Sequence, residues 1–248
     1  MTFLHWSEEH WWTLWGSTHS VQLVGPEVST APLVSVIVPV YNQEQFLGRC
    51  LRSLVAQDFP RDKYEIVVVD DGSSDGTCHV LDLFHEEIRT LRNEVNAGLP
   101  AALNRGIRSS SSLFIVRVDS DDYVNAEFIR VLYTFLEQNH YMDAVACDYL
   151  LVDNSEVILE RRNCNDYPIA CGIMFRTDQL IDVGLYDEQF LLHEERDLRF
   201  RFLEKHSIHR IEAPLYRYRL HEGNMTNDAE AMERHFDMLV EKHGEQHA

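Results

Sequence analysis

Short apolar, β-rich runs alternate with helical patterns in this 248-residue chain, and this alternation most constrains its fold. It continues through residues 33–140, where apolar residues recur at helical spacing between the runs. Such an order is typical of a parallel sheet with helices on both faces. The predicted strands are 33–40, 64–69, 88–92 and 113–118, and the predicted helices are 46–55, 76–86 and 98–108.

Polar residues follow three of these strands at their carboxyl ends. Tyr41 and Asn42 follow the first strand, Asp70 and Asp71 follow the second, and residues 119–122 follow the fourth. Sheets of this kind bind ligands outside the carboxyl ends of their strands. We therefore expect these groups, which are distant in sequence, to converge on one site. Asn42 is also a candidate N-cap for the helix that follows.

The sequence DSDD at residues 119–122 closes the apolar run that forms the fourth predicted strand. Three carboxylates at the end of a buried strand are costly unless a positive charge lies among them. Hard divalent cations such as Mg²⁺ or Mn²⁺ prefer oxygen ligands, usually one or two carboxylates plus substrate phosphates. The motif therefore predicts a metal site, and the alternative is a solvated acidic loop.

The second half of the chain has a different pattern. Strands are predicted at 143–152, 157–161 and 168–175, and helices at 195–206 and 229–243. We expect these elements to form a smaller mixed region beside the parallel sheet. The predicted organisation is an N-terminal extension at 1–32, a main domain at 33–226 divided near residue 122, and a C-terminal amphipathic helix within 227–248.

Composition excludes several classes of protein. The net charge of -19 argues against nucleic-acid binding through a basic surface. The five cysteines are odd in number and include no CxxC pair, which argues against a disulfide framework or a structural zinc site. No apolar run is long enough for a transmembrane helix, and the N-terminus has no signal-peptide pattern.

All four tryptophans, at positions 6, 11, 12 and 15, lie in the N-terminal extension. Their spacing places much of the aromatic surface on one side of a short helix. That helix packs on the main domain in one interpretation, and contacts a membrane interface or a partner in the other. Oligomeric state stays open.

Further polar motifs join those at the strand ends. The segments are VSVIVPVYN at 34–42, VVVDDGSSDGT at 67–77, NAG at 96–98, NRG at 104–106, DSDD at 119–122, LHEERDLRFR at 192–201 and YRYRLH at 216–221. In this order they resemble the family 2 glycosyltransferases over roughly residues 33–226. The resemblance implies an α/β GT-A fold, with a mostly parallel central sheet flanked by helices and a smaller mixed acceptor-side region.

The resemblance also implies a reaction. An inverting, metal-dependent enzyme would move a sugar from a nucleoside-diphosphate sugar, with UDP as the expected nucleotide, to a hydroxyl of a saccharide or lipid-linked saccharide. Mn²⁺ or Mg²⁺ is the implied cofactor. Assembly of surface polysaccharide or glycolipid is the implied pathway. We expect a cytoplasmic protein, at the inner face of the membrane if the tryptophans contact lipid.

The resemblance assigns the binding roles of the family to the matching positions of this sequence. The implied nucleotide-binding residues are Pro39, Tyr41, Asp71, Asn96, Gly98, Asn104, Asp119 and Arg219, and the implied metal-binding residues are Asp121, Asp122 and His221. Asp71 would contact the nucleobase, and its alternative role is a turn or helix-cap residue. Asp121 is the first choice of metal ligand. His221 would bind the metal or the diphosphate, or else is structural.

Residues 192–201 resemble the segment that supplies the base in this family. Glu194 and Glu195 match its Glu and catalytic Asp, and Asp197 matches a later acid. A Glu at the base position is one methylene longer than the usual Asp. Glu195 is the expected general base, with Glu194 and Asp197 as further candidates. Alternatively, these acids stabilise the start of a helix through its dipole.

Two other functions compete with transfer. A sugar nucleotidyltransferase would carry a Gly-rich basic loop after the first strand, and NQEQ at residues 42–45 is not such a loop. A non-catalytic nucleotide-sugar-binding or scaffolding protein of the same fold is favoured only by the altered base position.

Overall fold

A mixed sheet forms the centre of the molecule. The computed structural model of the chain describes residues 31–224 and 229–244, and within them the sheet has nine strands. These strands are β1 (Val34–Val40), β2 (Tyr64–Asp70), β3 (Arg89–Arg92), β4 (Phe114–Arg117), β5 (Tyr123–Val124), β6 (Ala144–Val152), β7 (Ile158–Arg162), β8 (Ile173–Arg176) and β9 (Ile208–Arg219).

The strand order separates a parallel half from a mixed half. It runs β3-β2-β1-β4-β8-β6-β9-β5, and β7 pairs with β6. Strands β1 to β4 are all parallel, whereas β8 runs antiparallel to both β4 and β6. This is the predicted α/β architecture, in which a mixed region extends a parallel sheet. The carboxyl ends of β1, β2 and β4 consequently meet at one edge.

Helices cover both faces of the sheet. They are α1 (Leu47–Val55), α2 (Thr77–Asp82), α3 (Leu99–Arg108), α4 (Phe128–Gln138), α5 (Thr177–Asp182), α6 (Glu194–Leu203) and α7 (Ala229–His243), with a 3₁₀ turn at Arg61–Lys63. One apolar cluster joins α1, α2 and α4 to the sheet, and a second joins α3, α5 and α6. Alternate residues of β1 and β2 enter the two clusters, because successive side chains of a strand point to opposite faces.

One local prediction, the N-cap of the first helix, is wrong. Strand β1 pairs through Pro39 to Val40, which lies opposite Asp70. Asn42 does not cap α1, since that helix begins at Leu47. Instead, Asn42 has a left-handed φ of 52°, and its Oδ1 accepts a hydrogen bond from the Ser74 backbone N–H at 2.8 Å. This bond ties together the loops that follow β1 and β2.

Other boundaries shift by a few residues. Helix α2 ends at Asp82 rather than near 86, and α6 spans Glu194–Leu203 rather than 195–206. The strand predicted at 168–175 is shorter and ends one residue later, since only Ile173–Arg176 pairs in the sheet. The sequence did not indicate β9 or α5, whereas α7 lies where it was predicted.

The tryptophan-bearing segment lies outside the described residues, so both interpretations of it stay predictions, as do the domain boundaries. In the part of the chain that the structure describes, no helix has the length and apolar character needed to cross a membrane.

Close packing of α3 on the sheet depends on a glycine. A Cβ added to Gly106 would lie 2.7 Å from Ile37 Cγ2 and 3.1 Å from Val69 Cγ2. Both methyl groups belong to buried β-branched side chains, which cannot swing away. By contrast, a Cβ at Gly48 in α1 would meet only Arg52 Nη1 at 3.4 Å and Val80 Cγ1 at 3.7 Å.

We predict opposite effects of the same substitution at these two helical glycines. Gly106→Ala should lower the free energy of unfolding, because overpacking costs about 1–3 kcal/mol and helix propensity returns only about 1 kcal/mol. Gly48→Ala should leave it unchanged or raise it by up to about 1 kcal/mol. Urea denaturation of both variants measures the difference. A Gly106→Ala variant more stable than Gly48→Ala would contradict the observed approach of α3 to the sheet.

Candidate active site

The loop of residues 119–122, here called the DSDD loop, is anchored from inside the protein by Asp122. The Asp122 side chain is 2% exposed. Its Oδ2 accepts a hydrogen bond from the Tyr216 hydroxyl at 2.7 Å, and its Oδ1 accepts one from the Arg219 backbone N–H at 2.7 Å. The same hydroxyl accepts a bond from the Asp119 N–H at 3.1 Å. Asp122 thus anchors the loop to β9, in place of the metal contact that the resemblance implies.

Asp119 is held by a buried arginine that the sequence analysis did not single out. Arg117, 7% exposed in β4, binds the two Asp119 oxygens with Nε at 2.6 Å and Nη2 at 3.2 Å. Its Nη1 donates to Glu194 Oε1 at 2.9 Å. One guanidinium therefore joins the DSDD loop to the first residue of α6. A charged residue inside an apolar strand is a signal that could have revealed this bridge, since buried arginines are almost always paired.

Asp121 is the DSDD carboxylate that meets His221. Asp121 Oδ2 lies 2.9 Å from His221 Nε2, across 100 residues of sequence. The His221 ring also packs against the Phe46 ring, with centroids 4.6 Å apart. Two residues that the resemblance assigns to the metal thus lie together. A carboxylate oxygen and an imidazole nitrogen on rigid supports are suitable ligands for a divalent cation.

A second group of potential ligand atoms lies deeper. Atoms of Asp119, Asp122 and Cys171 fall within 4.8 Å of one another. Burial raises the pKa of Cys171 and of Asp122 well above their usual values. The Asp119 oxygens already bind Arg117, and thiols do not suit hard cations. We therefore place the candidate metal centre at Asp121 and His221 rather than at this buried cluster.

Arg219 supports the DSDD loop from inside the protein. It is 3% exposed, and its Nε donates to the Asp121 carbonyl oxygen at 2.9 Å. Its Nη2 lies 3.6 Å from Glu156 Oε1, and its guanidinium carbon lies 5.2 Å from the Phe46 ring centroid. These contacts orient the backbone of Asp121. Arg219 is therefore placed to support the loop, in contrast to the phosphate contact that the resemblance implies.

Asp71 fixes the loop that leads into α3. Its Oδ1 accepts hydrogen bonds from Asn93 Nδ2 at 2.5 Å and from the Ala97 N–H at 3.0 Å, and its Oδ2 accepts one from the Gly98 N–H at 2.8 Å. Asn96 Oδ1 also accepts from the Gly98 N–H, at 2.9 Å. These contacts match the alternative reading of Asp71 as a turn residue. They also place Asp71, Asn96 and Gly98 together.

The remaining predicted nucleotide residues differ in accessibility. Gly98 has a φ of 95°, and a Cβ there would lie 2.8 Å from Leu191 Cδ2, so the position requires glycine. Tyr41 is 45% exposed, whereas Pro39 is buried within β1. Asn104 is buried, and its Nδ2 donates to the Tyr186 carbonyl oxygen at 2.8 Å. Asn104 thus supports the chain before α6, and its contact with the nucleotide stays a prediction.

The three acids at the start of α6 have different surroundings. Glu194 is 4% exposed, and burial raises its pKa to about 7, with the charge of Glu195 adding to the shift and Arg117 opposing it. Asp197 is fully buried. Its Oδ2 binds Arg201, with Nη2 at 2.6 Å, and its Oδ1 lies 2.7 Å from Lys242 Nζ. Glu195 is partly exposed and lines a cavity.

That cavity measures about 530 Å³ and lies in the mixed half of the molecule. Its walls include Tyr149 of β6, Tyr218 of β9 and the Glu195 face of α6. A separate open depression is lined by His221. Leu220 borders both spaces, so the cavity that contains Glu195 adjoins the surface beside the Asp121–His221 pair.

Comparison with known proteins gives a family match. The sequence model described as "Glycosyl transferase family 2" matches residues 35–188. A poly(ribitol-phosphate) beta-glucosyltransferase of Bacillus spizizenii is 37% identical over 110 residues, which cover 43% of this chain and 17% of that protein. The chain thus spans under a fifth of that relative's length.

Solved structures give a match in fold. Staphylococcus aureus TarS 1-349 in complex with UDP-GlcNAc superposes with a TM-score of 0.72 and 24% identity, over 84% of this chain and 66% of that one. The mannosyltransferase PcManGT of Pyrobaculum calidifontis, in complex with GDP-Man and Mn²⁺, gives 0.67 and 19%, over 86% and 65%. At these identities the likeness concerns the fold, which is GT-A as expected.

We predict that Asp197 contributes mainly to stability. Burial alone would raise its pKa, but hydrogen bonds from Arg201, Lys242 and His243 outweigh burial and lower the pKa below its usual 3.8. Asp197→Asn should therefore reduce the free energy of unfolding at pH 7 by about 3–5 kcal/mol, as expected for a broken buried ion pair.

The pH dependence follows from the sign of that shift. A lowered folded-state pKa gives stability that is complete above pH 3.8 and is lost as the pH falls further. The difference in free energy of unfolding between wild type and Asp197→Asn, measured by urea denaturation, should consequently become smaller below about pH 4. The matched control is Asp178→Asn, at an exposed acid in the first turn of α5. Equal stability of the two variants at pH 7 would refute the assignment.

Proposed function

Since this chain belongs to glycosyl transferase family 2, we propose that it moves a sugar from a nucleoside-diphosphate donor to an acceptor hydroxyl, with inversion at the anomeric carbon. The observation that carries this proposal is the contact of Asp121 with His221, which joins the end of β4 to the end of β9. This pair lies at the edge where the parallel strands end. The cavity with Glu195 adjoins it.

The donor we propose is a UDP-sugar. The fold neighbours support a nucleoside-diphosphate sugar in general, since the TarS structure holds UDP-GlcNAc and the PcManGT structure holds GDP-Man. In this chain the loop held by Asp71, with Asn96 and Gly98, and the exposed Tyr41 offer the nucleotide surface.

Asp121 and His221 would hold the Mn²⁺ or Mg²⁺. The Asp121 carboxylate oxygen and the His221 imidazole nitrogen lie 2.9 Å apart, so both would be available to one cation. Such a cation neutralises charge that develops on a diphosphate leaving group. Mn²⁺ in the PcManGT structure supports a divalent metal in this fold.

Glu195 is the proposed general base. It accepts the proton of the acceptor hydroxyl as that oxygen attacks the anomeric carbon, and the nucleoside diphosphate leaves with the electron pair of the broken bond. No covalent enzyme intermediate is needed. Glu194 and Asp197 do not compete for this role, because Arg117 holds the former and Arg201 and Lys242 hold the latter. Both residues instead fix the helix that carries Glu195.

For the pathway, we propose assembly of surface polysaccharide or glycolipid by a cytoplasmic enzyme. The Bacillus spizizenii relative, named for transfer to poly(ribitol-phosphate), supports a polymer acceptor. The two competing functions, nucleotidyl transfer and non-catalytic binding of a nucleotide sugar, gain no specific support from the geometry.

Asp121→Asn should abolish metal-dependent turnover and leave the fold intact. The neutral amide is a poor cation ligand, so we expect release of UDP from UDP-GlcNAc or another UDP-sugar in Mn²⁺ to fall by about 100-fold or more. The control is Asp82→Asn, at an exposed acid of α2. Wild-type turnover in Asp121→Asn would remove the metal assignment.

Glu195→Gln should slow the chemical step without weakening donor binding. Loss of a general base lowers kcat by about 10²–10⁴-fold, while the affinity for donor, measured by titration calorimetry with Mn²⁺, should stay within about twofold. Glu204→Gln tests the loss of one carboxylate at the exposed end of the same helix. If Glu195→Gln turns over like Glu204→Gln, another group is the base. Donor binding without turnover in the wild type, across a broad acceptor panel, would instead favour the non-catalytic function.

A further inference from the structure

The cavity beside Glu195 combines tyrosine rings with positive charge. Tyr149, Tyr167 and Tyr218 line it, and tyrosine offers both an apolar ring face and a polar tip to a sugar. The charged side chains in its wall are Arg162, Arg196, Arg199, Asp166 and Glu195, together with the titratable His193. Three guanidinium groups in one cavity are unexpected in a chain with a net charge of -19.

Among the arginines of this cavity, Arg199 is shielded from water without a compensating negative charge from the described residues. It is partly buried, and burial lowers the pKa of its guanidinium. Within residues 31–224 and 229–244, its guanidinium has no ion pair or hydrogen bond. A shielded cation without a counter-ion is costly, because the surroundings do not replace the water it has lost. An anionic ligand would supply the missing partner.

The other two arginines of the cavity have different surroundings. Arg162 already pairs with Glu160 at 3.0 Å, and its guanidinium carbon stacks 4.6 Å from the Tyr167 ring centroid. Arg196 is exposed and lies over the Phe236 ring at 5.9 Å. Arg199 is therefore the member of the group that combines shielding from water with an unused guanidinium.

Arg199 lies one turn of α6 away from Glu195, the proposed base. Glu195 and Arg199 are one helical turn apart and both line the cavity, yet they do not pair among the contacts of the described residues. Side chains at this spacing have Cβ atoms about 5–6 Å apart. A ligand held by Arg199 would consequently present its neighbouring atoms to Glu195, within the length of one sugar unit.

We propose that the acceptor is an anionic saccharide or polyol, whose phosphate or carboxylate group binds Arg199 while a nearby hydroxyl faces Glu195. This inference rests on the proposed transfer reaction. The planar guanidinium fork matches both oxyanions, which it binds through two parallel hydrogen bonds. The donor diphosphate does not account for Arg199, because Asp121 and His221 lie outside this cavity.

Binding of small probes tests the proposal without turnover. The probes are methyl glucoside, glucuronic acid and glucose 6-phosphate, titrated by NMR in the presence of a chelator so that no cation recruits them to Asp121 and His221. Wild type should bind at least one anionic probe about tenfold or more tightly than methyl glucoside. The stronger of the two anionic probes identifies phosphate or carboxylate as the recognised group.

Variants then assign the preference to Arg199. Arg199→Met should reduce the anionic preference to within about twofold, and Arg199→Lys should retain part of it because the charge remains. Arg52→Met is the matched control, since it removes an exposed arginine of α1 that lies outside the cavity. It should leave the preference unchanged. Thermal unfolding checks the fold, and Arg199→Met should be at least as stable as wild type, because it removes an unpaired shielded charge and breaks no ion pair or hydrogen bond among the described residues.

Equal binding of neutral and anionic probes to wild type would overturn the proposal, as would an anionic preference that survives Arg199→Met. Failure of the transferase function is a separate result. It would be seen as absent release of nucleotide from every nucleotide sugar in Mn²⁺, a measurement that involves neither the probes nor Arg199.

Discussion

The site depends on one buried carboxylate. Asp122 accepts hydrogen bonds from the Tyr216 hydroxyl and the Arg219 backbone, and through them it fixes the end of β4 against β9. Since both oxygens of Asp122 point inward, the neighbouring Asp121 lies beside His221. Together with the bond from Arg219 Nε to the Asp121 carbonyl oxygen, this anchor holds Asp121 and His221 together across 100 residues of sequence.

Adjacent acids carry out different tasks because each has a different partner. In the DSDD loop, Asp119 binds Arg117, Asp122 binds β9, and Asp121 meets an imidazole. The start of α6 repeats this division, since cations hold Glu194 and Asp197 while Glu195 faces the cavity. Arg117 connects the two sets, so the DSDD loop and α6 share one buried ion network.

Much of the fold was predictable, because long apolar runs and helical periodicity determine β1 to β4 and the helices between them. The meeting of Asp121 with His221 was also predictable, through the family resemblance. The inward direction of Asp122 was not, since periodicity is lost in a loop and cannot tell which of two neighbouring acids is buried. Nor could the sequence reveal that Asp197 binds Lys242, 45 residues later, because only tertiary packing brings α7 beside α6.

A crystal structure with Mn²⁺ and UDP, recorded with anomalous scattering, tests the central claim most directly. The account predicts one manganese peak at about 2.0–2.3 Å from both an Asp121 oxygen and His221 Nε2, with Asp122 still bound to Tyr216. A peak coordinated by Asp119, Asp122 and Cys171, or one remote from Asp121, would contradict it.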